Sequence, residues 1–171
     1  MPTDAKHLLI YDAGTGAEIK RIATDDIRDR VSQSKTGDDS TVPQAILAVD
    51  KNQVFLTGGS SLYCVDWTQP VENCIVWHCP FPNNIAGRGF VTADSVFVCI
   101  ESGTDQRKYG QGGLWRVERV TGRRKESYPA KKDWDEGEGP GNVLGIGDQV
   151  IVAGSKRVNI YADMALARNR L

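Results

Sequence analysis

Four segments of the chain carry the same order of positions: an apolar run, then an acidic or small residue, then a turn. They are Leu8-Leu9-Ile10-Tyr11-Asp12, followed by Ala13-Gly14-Thr15-Gly16; Leu62-Tyr63-Cys64-Val65-Asp66; Leu114-Trp115-Arg116-Val117-Glu118, followed by Thr121-Gly122; and a fainter Val158-Asn159-Ile160-Tyr161-Ala162. Aligned on Asp12, Asp66, Glu118 and Ala162, the copies are 54, 52 and 44 residues apart. Apolar runs of about five residues bounded by turn residues predict short strands.

A second unit recurs upstream of the last three copies. Ile46 to Val49, the turn Asp50-Lys51-Asn52 and Gln53 to Thr57 read as strand, turn, strand. Phe90 to Thr92, Ala93-Asp94 and Ser95 to Ile100 repeat it, as do Val143 to Ile146, Gly147-Asp148 and Gln149 to Ala153. Asp, Asn and Gly tolerate the backbone of tight hairpin turns. Each full repeat is then an inner pair of strands followed by an outer pair. Short strands at a period of roughly 40–50 residues predict an all-β fold of β-propeller-type blades, each an antiparallel four-stranded sheet. On this phase residues 1–171 form a single partial propeller domain. Its blade units are 7–22, 45–79, 86–128 and 141–171, about three and a half blades of an incomplete ring, with an insertion at 23–44. The runs Val54-Phe55-Leu56, Val96-Phe97-Val98 and Val150-Ile151-Val152 are apolar without alternation, which predicts strands buried on both faces.

The turn Tyr11-Asp12-Ala13-Gly14-Thr15-Gly16, the pair Val65-Asp66 and the run Arg119-Val120-Thr121-Gly122 resemble the PQQ-like repeat of quinoprotein-type and outer-membrane-assembly-type propellers. The first and third copies match that family's apolar-Asp-x-x-Thr-Gly turn. The second departs at Trp67-Thr68-Gln69-Pro70 and the fourth at Asp163-Met164-Ala165. The tryptophan that follows the family's turn is present once, as Trp77; Ile22 and Tyr128 stand in the equivalent places. The resemblance implies a propeller whose role is binding or scaffolding, with blade loops presented to a protein partner. The alternative it admits is a fragment of a quinoprotein-like oxidoreductase whose cofactor site lies in further blades. That family's dehydrogenases use adjacent cysteines beside an acidic calcium site, and this chain has no adjacent cysteines. No cofactor is therefore implied here.

Composition narrows the partners. With 40% hydrophobic and 25% charged residues, the chain can bury a core. A net charge of −1 argues against nucleic acid, which needs a clustered basic excess. Arg119, Arg123, Arg124 and Lys125 do cluster, with Lys131 and Lys132 beyond. Alternation along a strand divides them between two faces, and Glu118 and Glu126 lie among them. No apolar run is long enough to span a membrane, and Met1 to Lys6 is polar, unlike a signal peptide. Read literally, these features lead one to expect a cytoplasmic chain, and a piece of a longer propeller would be periplasmic or secreted, so the compartment stays open. Propellers close with about 4–8 blades. Three and a half blades predict open strand edges, completed by remaining blades or by a second copy in a homodimer.

Candidate chemistry is sparse. Thr24 to Val31 predicts a helical turn, with Ile27 and Val31 on one face and an Asp26–Arg30 pair, before a loop at Ser34 to Ser40. Gly14-Thr15-Gly16 lacks the third glycine of a dinucleotide loop, since position 19 is Ile19, and Ala17 to Ile22 alternates like a strand. Asp133 and Asp135, in Asp133-Trp134-Asp135-Glu136-Gly137-Glu138, are weak metal candidates, because EF-hand spacing fails where Leu144 replaces the bidentate Glu. Cys74, His78 and Cys79 point to opposite faces of a strand and do not make a zinc set. A hairpin centred on Gln69 would set Cys64 opposite Cys74, close enough for an oxidising compartment to join them, with buried thiols as the default expectation. His7 has no assigned partner. A carbohydrate-binding propeller using Trp67, Trp115 and Trp134 is a further alternative. The leading expectation is a non-catalytic binding module.

Overall fold

The computed structural model describes residues 6–31, 42–103, 112–128, 134–147 and 149–162. Among these the fold is all-β, with four antiparallel sheets, none closed on itself, and one α-helix. The chain divides into two compact units, Met1–Pro80 and Phe81–Leu171.

The first unit opens with a hairpin of β1 (His7–Tyr11) and β2 (Glu18–Ala23), followed by α1 (Thr24–Val31). A meander follows: β3 (Ala45–Asp50), β4 (Gln53–Gly58), β5 (Ser61–Asp66) and β6 (Ile75–Pro80), paired in that order. The hairpin stacks on one face of the meander. Leu8 and Ile22 from the hairpin and Ile27 from α1 meet Val54, Leu56, Tyr63, Val65 and Cys74 in one buried cluster. Register explains which side chains take part. Leu56 is opposite Tyr63, and Val54 is opposite Val65, so all four share a face. Phe55, the intervening residue, is fully buried on the other face, with its ring 6.0 Å from that of Trp77.

In α1, Asp25 and Asp26 lie in the first turn, with Arg28 and Arg30 in the last, an order that suits the helix dipole. Ile27 is buried and Val31 packs against the same cluster, as their spacing predicts. The expected Asp26–Arg30 pair does not form. Arg28 pairs with Asp25 at 2.9 Å, and Arg30 instead donates to the carbonyl of Glu72 at 3.2 Å. The tertiary acceptor satisfies Arg30 without a neighbour on its own helix. The expected loop at 34–40 lies outside the described residues, as do Lys131, Lys132 and Asp133.

The second unit holds β7 (Ile85–Val91), β8 (Ser95–Ile100), β9 (Gly113–Glu118) and β10 (Arg124–Tyr128) in one sheet, and β11 (Asn142–Ile146), β12 (Gln149–Ala153) and β13 (Val158–Ala162) in the other. The two stack through Cys99 and Leu114 on one side and Val143 and Val152 on the other, with Phe90, Phe97, Tyr128 and Tyr161 at the margin.

Burial corrects the expectation for the apolar runs. Val54, Phe55 and Leu56 are all buried, whereas in the second run Val96 and Val98 are buried and Phe97 is only half-buried. In the third, Val152 is buried while Val150 and Ile151 are half-buried. The Cys64–Cys74 pairing is also corrected. Cys64 is opposite Trp77, and all four cysteines are free thiols. A 3-10 turn at Val71–Asn73 lengthens the β5–β6 connection, which shifts the register by three residues and leaves Cys74 outside the strand.

Candidate functional site

The acidic residue that ends each repeated strand is held by its own turn. One Asp12 carboxylate oxygen accepts from the backbone N–H groups of Gly14 and Thr15, at 3.0 and 2.7 Å, and from the Thr15 hydroxyl at 2.8 Å. Gly16, at φ +70°, then reverses the chain. Glu118 repeats the scheme with the Thr121 hydroxyl, and Gly122 also has φ +70°. Asp66 accepts from the Thr68 N–H at 2.9 Å and the Thr68 hydroxyl at 2.6 Å. These hydrogen bonds hold all three carboxyls below their usual pKa values. A carboxylate so saturated is a structural acceptor and a poor proton carrier. The Gly14-Thr15-Gly16 loop leads into strand β2, so it does not form the helix N-terminus that phosphate binding needs.

The remaining candidates are likewise engaged in the fold. Asp135 is exposed, and its N–H donates to the Glu138 carboxylate at 2.9 Å. Among the described residues no His, Cys, Asp and Glu cluster has a metal-binding arrangement. The indole N–H of Trp134 donates to the Ile100 carbonyl at 2.8 Å, and that of Trp67 donates to the Lys51 carbonyl at 3.3 Å. Trp115 meets Phe81 edge-on at 6.1 Å, with the Arg124 guanidinium 5.6 Å from its ring centre. In the basic cluster, Arg119 donates to the Thr92 carbonyl and Lys125 pairs with Glu118 at 3.0 Å.

One polar pair escaped the sequence reading. His78 Nε2 lies 3.1 Å from Ser61 Oγ, and the imidazole stacks on Tyr63 at 4.9 Å. Burial holds the His78 pKa below its ordinary value. Ser61 is itself fully buried, so its hydroxyl cannot reach a substrate. The cross-strand pairing of Tyr63 with His78 brings this group together, and no local motif announces it.

The feature with the form of a site is a groove in the first unit, between β1 and β3. Two adjoining hollows, about 320 and 300 Å³, share Leu8, Leu9 and Ile46 in their walls. His7 and Thr24 line one end, and Tyr11, Val49 and Trp67 line the other. The floor is the buried Leu8, Val54 and Leu56. Ile46 and Val49 are opposite Leu56 and Val54, so they extend the stacked face of the meander onto β3. The β1–β2 hairpin stops short of them, leaving Ile46 48% and Val49 62% exposed.

No protein-family model matches the sequence, and no curated protein matches it. Among solved structures, the crystal structure of the computationally designed Ika8 protein aligns with a TM-score of 0.40 and 10% identity, over 94% of this chain and 56% of that one. This chain thus spans a little over half the length of that protein, and likeness at this level carries no argument about fold or function.

Proposed function

We propose that the chain is a propeller-type array of blades, of PQQ-like kind, that acts as a non-catalytic binding or scaffolding module for a protein partner. The observation that carries the binding role is the groove beside β1, where exposed Leu9, Tyr11, Ile46 and Val49 gather around one apolar hollow. Apolar surface gathered in this way marks an interaction site more often than scattered exposed residues do.

Two regularities support the blade reading. First, equivalent backbone bonds recur in both four-stranded sheets: Trp67 N–H donates to the Asn52 carbonyl at 3.0 Å, and Arg119 N–H to the Asp94 carbonyl at 2.9 Å. In each case the residue after the turn acid ties the outer turn to the inner one. Second, stacking has the same sense in both units. Val54 and Leu56 of β4 face the earlier hairpin, and their counterparts Val150 and Val152 of β12 face the earlier sheet of their own unit. A repeat whose sheets always offer the same face to their predecessor is what a propeller requires.

Light scattering over micromolar concentrations, on the chain and on a Val49→Asp variant, tests the binding role. We expect self-association or partner-dependent assembly that the charged side chain weakens. A chain that is monomeric throughout, and whose interactions Val49→Asp leaves unchanged, would count against it.

A further inference from the structure

The chain shows twice what belongs beside a strand of the β1 type. Asp12 and Asp66 end equivalent strands, which aligns His7, Leu9 and Tyr11 of β1 with Ser61, Tyr63 and Val65 of β5. In the complete sheet β5 has β6 on one side and β4 on the other; in the second unit β9 likewise has β10 and β8. β1 has only β2, and among the described residues no strand pairs with its other edge.

Register shows which backbone groups that edge presents. Thr24 N–H donates to the Lys6 carbonyl at 3.0 Å, so Leu8–Ile22 and Ile10–Lys20 are the hydrogen-bonded pairs of the hairpin. The N–H and C=O groups of His7, Leu9 and Tyr11 therefore point away from β2. In β5, the bond from Trp67 N–H to the Asn52 carbonyl marks Val65–Val54, Tyr63–Leu56 and Ser61–Gly58 as the bonded pairs. The outward groups of β1 are thus the counterparts of those that β5 uses to hold β4. They line the groove, and Ile46 and Val49 form an uncovered apolar shelf beneath it.

We propose that the free edge of β1 is a strand-acceptor site, which takes an extended apolar segment of a partner protein antiparallel to His7–Tyr11, with alternate side chains of that segment seated over Ile46 and Val49. Main-chain hydrogen bonds to Leu9 and its neighbours supply the pairing, and the apolar shelf selects the side chains. The chemistry of the ligand follows from β4, whose sequence Gln-Val-Phe-Leu-Thr-Gly fills the equivalent place beside β5. Placed on β1 in that register, its Phe falls opposite Ile10, on the face that looks toward the shelf. Its Val and Leu direct their backbone groups at Tyr11 and Leu9.

This inference rests on the binding-module reading, and the following experiment separates the two. The 171-residue chain is titrated with fluorescent peptides carrying Gln-Val-Phe-Leu-Thr-Gly between solubilising lysines, read by anisotropy and by amide chemical shifts of His7, Leu9, Ile46 and Val49. Two peptides of equal composition are compared, one N-methylated at Val and Leu, the other at Phe and Thr. Methylation at Val and Leu removes the donors aimed at β1 and should weaken binding at least tenfold. The peptide methylated at Phe and Thr should bind like the unmodified one, and Val49→Asp should weaken it. Equal binding of the two peptides, both weakened by Val49→Asp, would overturn strand pairing while leaving an apolar binding groove. No peptide binding by a chain that also stays monomeric would overturn both readings. A dimer that the peptides fail to dissociate would assign the edge to a second copy and overturn the proposed partner.

Discussion

Thr15 donates both its backbone N–H and its hydroxyl to one carboxylate oxygen of Asp12, at 2.7 and 2.8 Å. In the corresponding turn of the second unit the Thr121 hydroxyl likewise donates to the Glu118 carboxylate, so two distant hairpins share a threonine–carboxylate bond. Its consequence is a dependence of stability on pH. Hydrogen bonds hold Asp12, Asp66, Asp94 and Glu118 below their ordinary values of 3.8 for Asp and 4.5 for Glu. A carboxyl whose pKa is depressed on folding contributes stability above its unfolded pKa, and that contribution is lost as pH falls through the folded pKa. The melting temperature should therefore be flat near neutrality and fall below the ordinary carboxylate range. Thr15→Val combined with Thr121→Val should lower it at neutral pH and make the acid fall shallower. Parallel curves for the variant and the parent would refute this role.

Phe55 and Phe97 occupy equivalent sites, two residues into β4 and β8, yet differ in cover. Phe55 is fully buried and Phe97 half-buried. Phe55→Ala should cost about 3–5 kcal/mol, the usual range for a buried phenylalanine. Phe97→Ala should cost less, because part of its side chain is already in water. Urea unfolding of the two variants gives the comparison, and equal losses would mean that Phe97 is covered in solution.

Gly145 exists for a neighbour. A Cβ placed there would come within 1.9 Å of Phe90 Cε1. Gly145→Ala should destabilise by about 1–3 kcal/mol through overpacking. Phe90→Leu in the same chain should recover part of that loss, since it removes the atoms in the way. A double-mutant cycle with no coupling would show that the ring moves aside freely.

The cysteines should behave as core residues. Cys64, Cys74, Cys79 and Cys99 are all buried, and burial pushes the Cys99 thiol up to about 11. A thiol-disulfide reagent at mild alkaline pH should label none of them quickly in the native protein and all 4 in guanidinium. Non-reducing mass analysis should find no Cys64–Cys74 bond. Rapid labelling of the native chain would place at least one thiol in an open environment.

Lys51 holds φ at +53° in the turn between β3 and β4, where the corresponding hairpin between β11 and β12 has Gly147 at φ +60°. A left-handed backbone disfavours residues with a Cβ by roughly 1–2 kcal/mol. Lys51→Gly should relieve part of this and stabilise the chain by up to about 1 kcal/mol, read by denaturant unfolding. A loss of stability would mean that the Lys51 side chain contributes more than its backbone strain costs.

What the sequence determined by itself was local. Asp12, Asp66 and Glu118 mark strand ends because a carboxylate followed by threonine or a small residue folds back on its own backbone, and that information lies within four residues. The hairpin turns after Asp50 and Ile146 follow from Lys51-Asn52 and Gly147 in the same way, and α1 from the spacing of Ile27 and Val31. Register and cover were decided only by the tertiary structure. The 3-10 turn at Val71–Asn73 moved Cys64 from Cys74 to Trp77, since a few added turn residues displace a whole ladder. Phe97, indistinguishable from Phe55 in its apolar run, is half-covered because burial is a property of the sheet stacked above it. The groove beside β1 has the same origin. Leu9, Ile46 and Val49 are ordinary strand residues in sequence, and they line a site only because the two-stranded hairpin is narrower than the four-stranded sheet it covers.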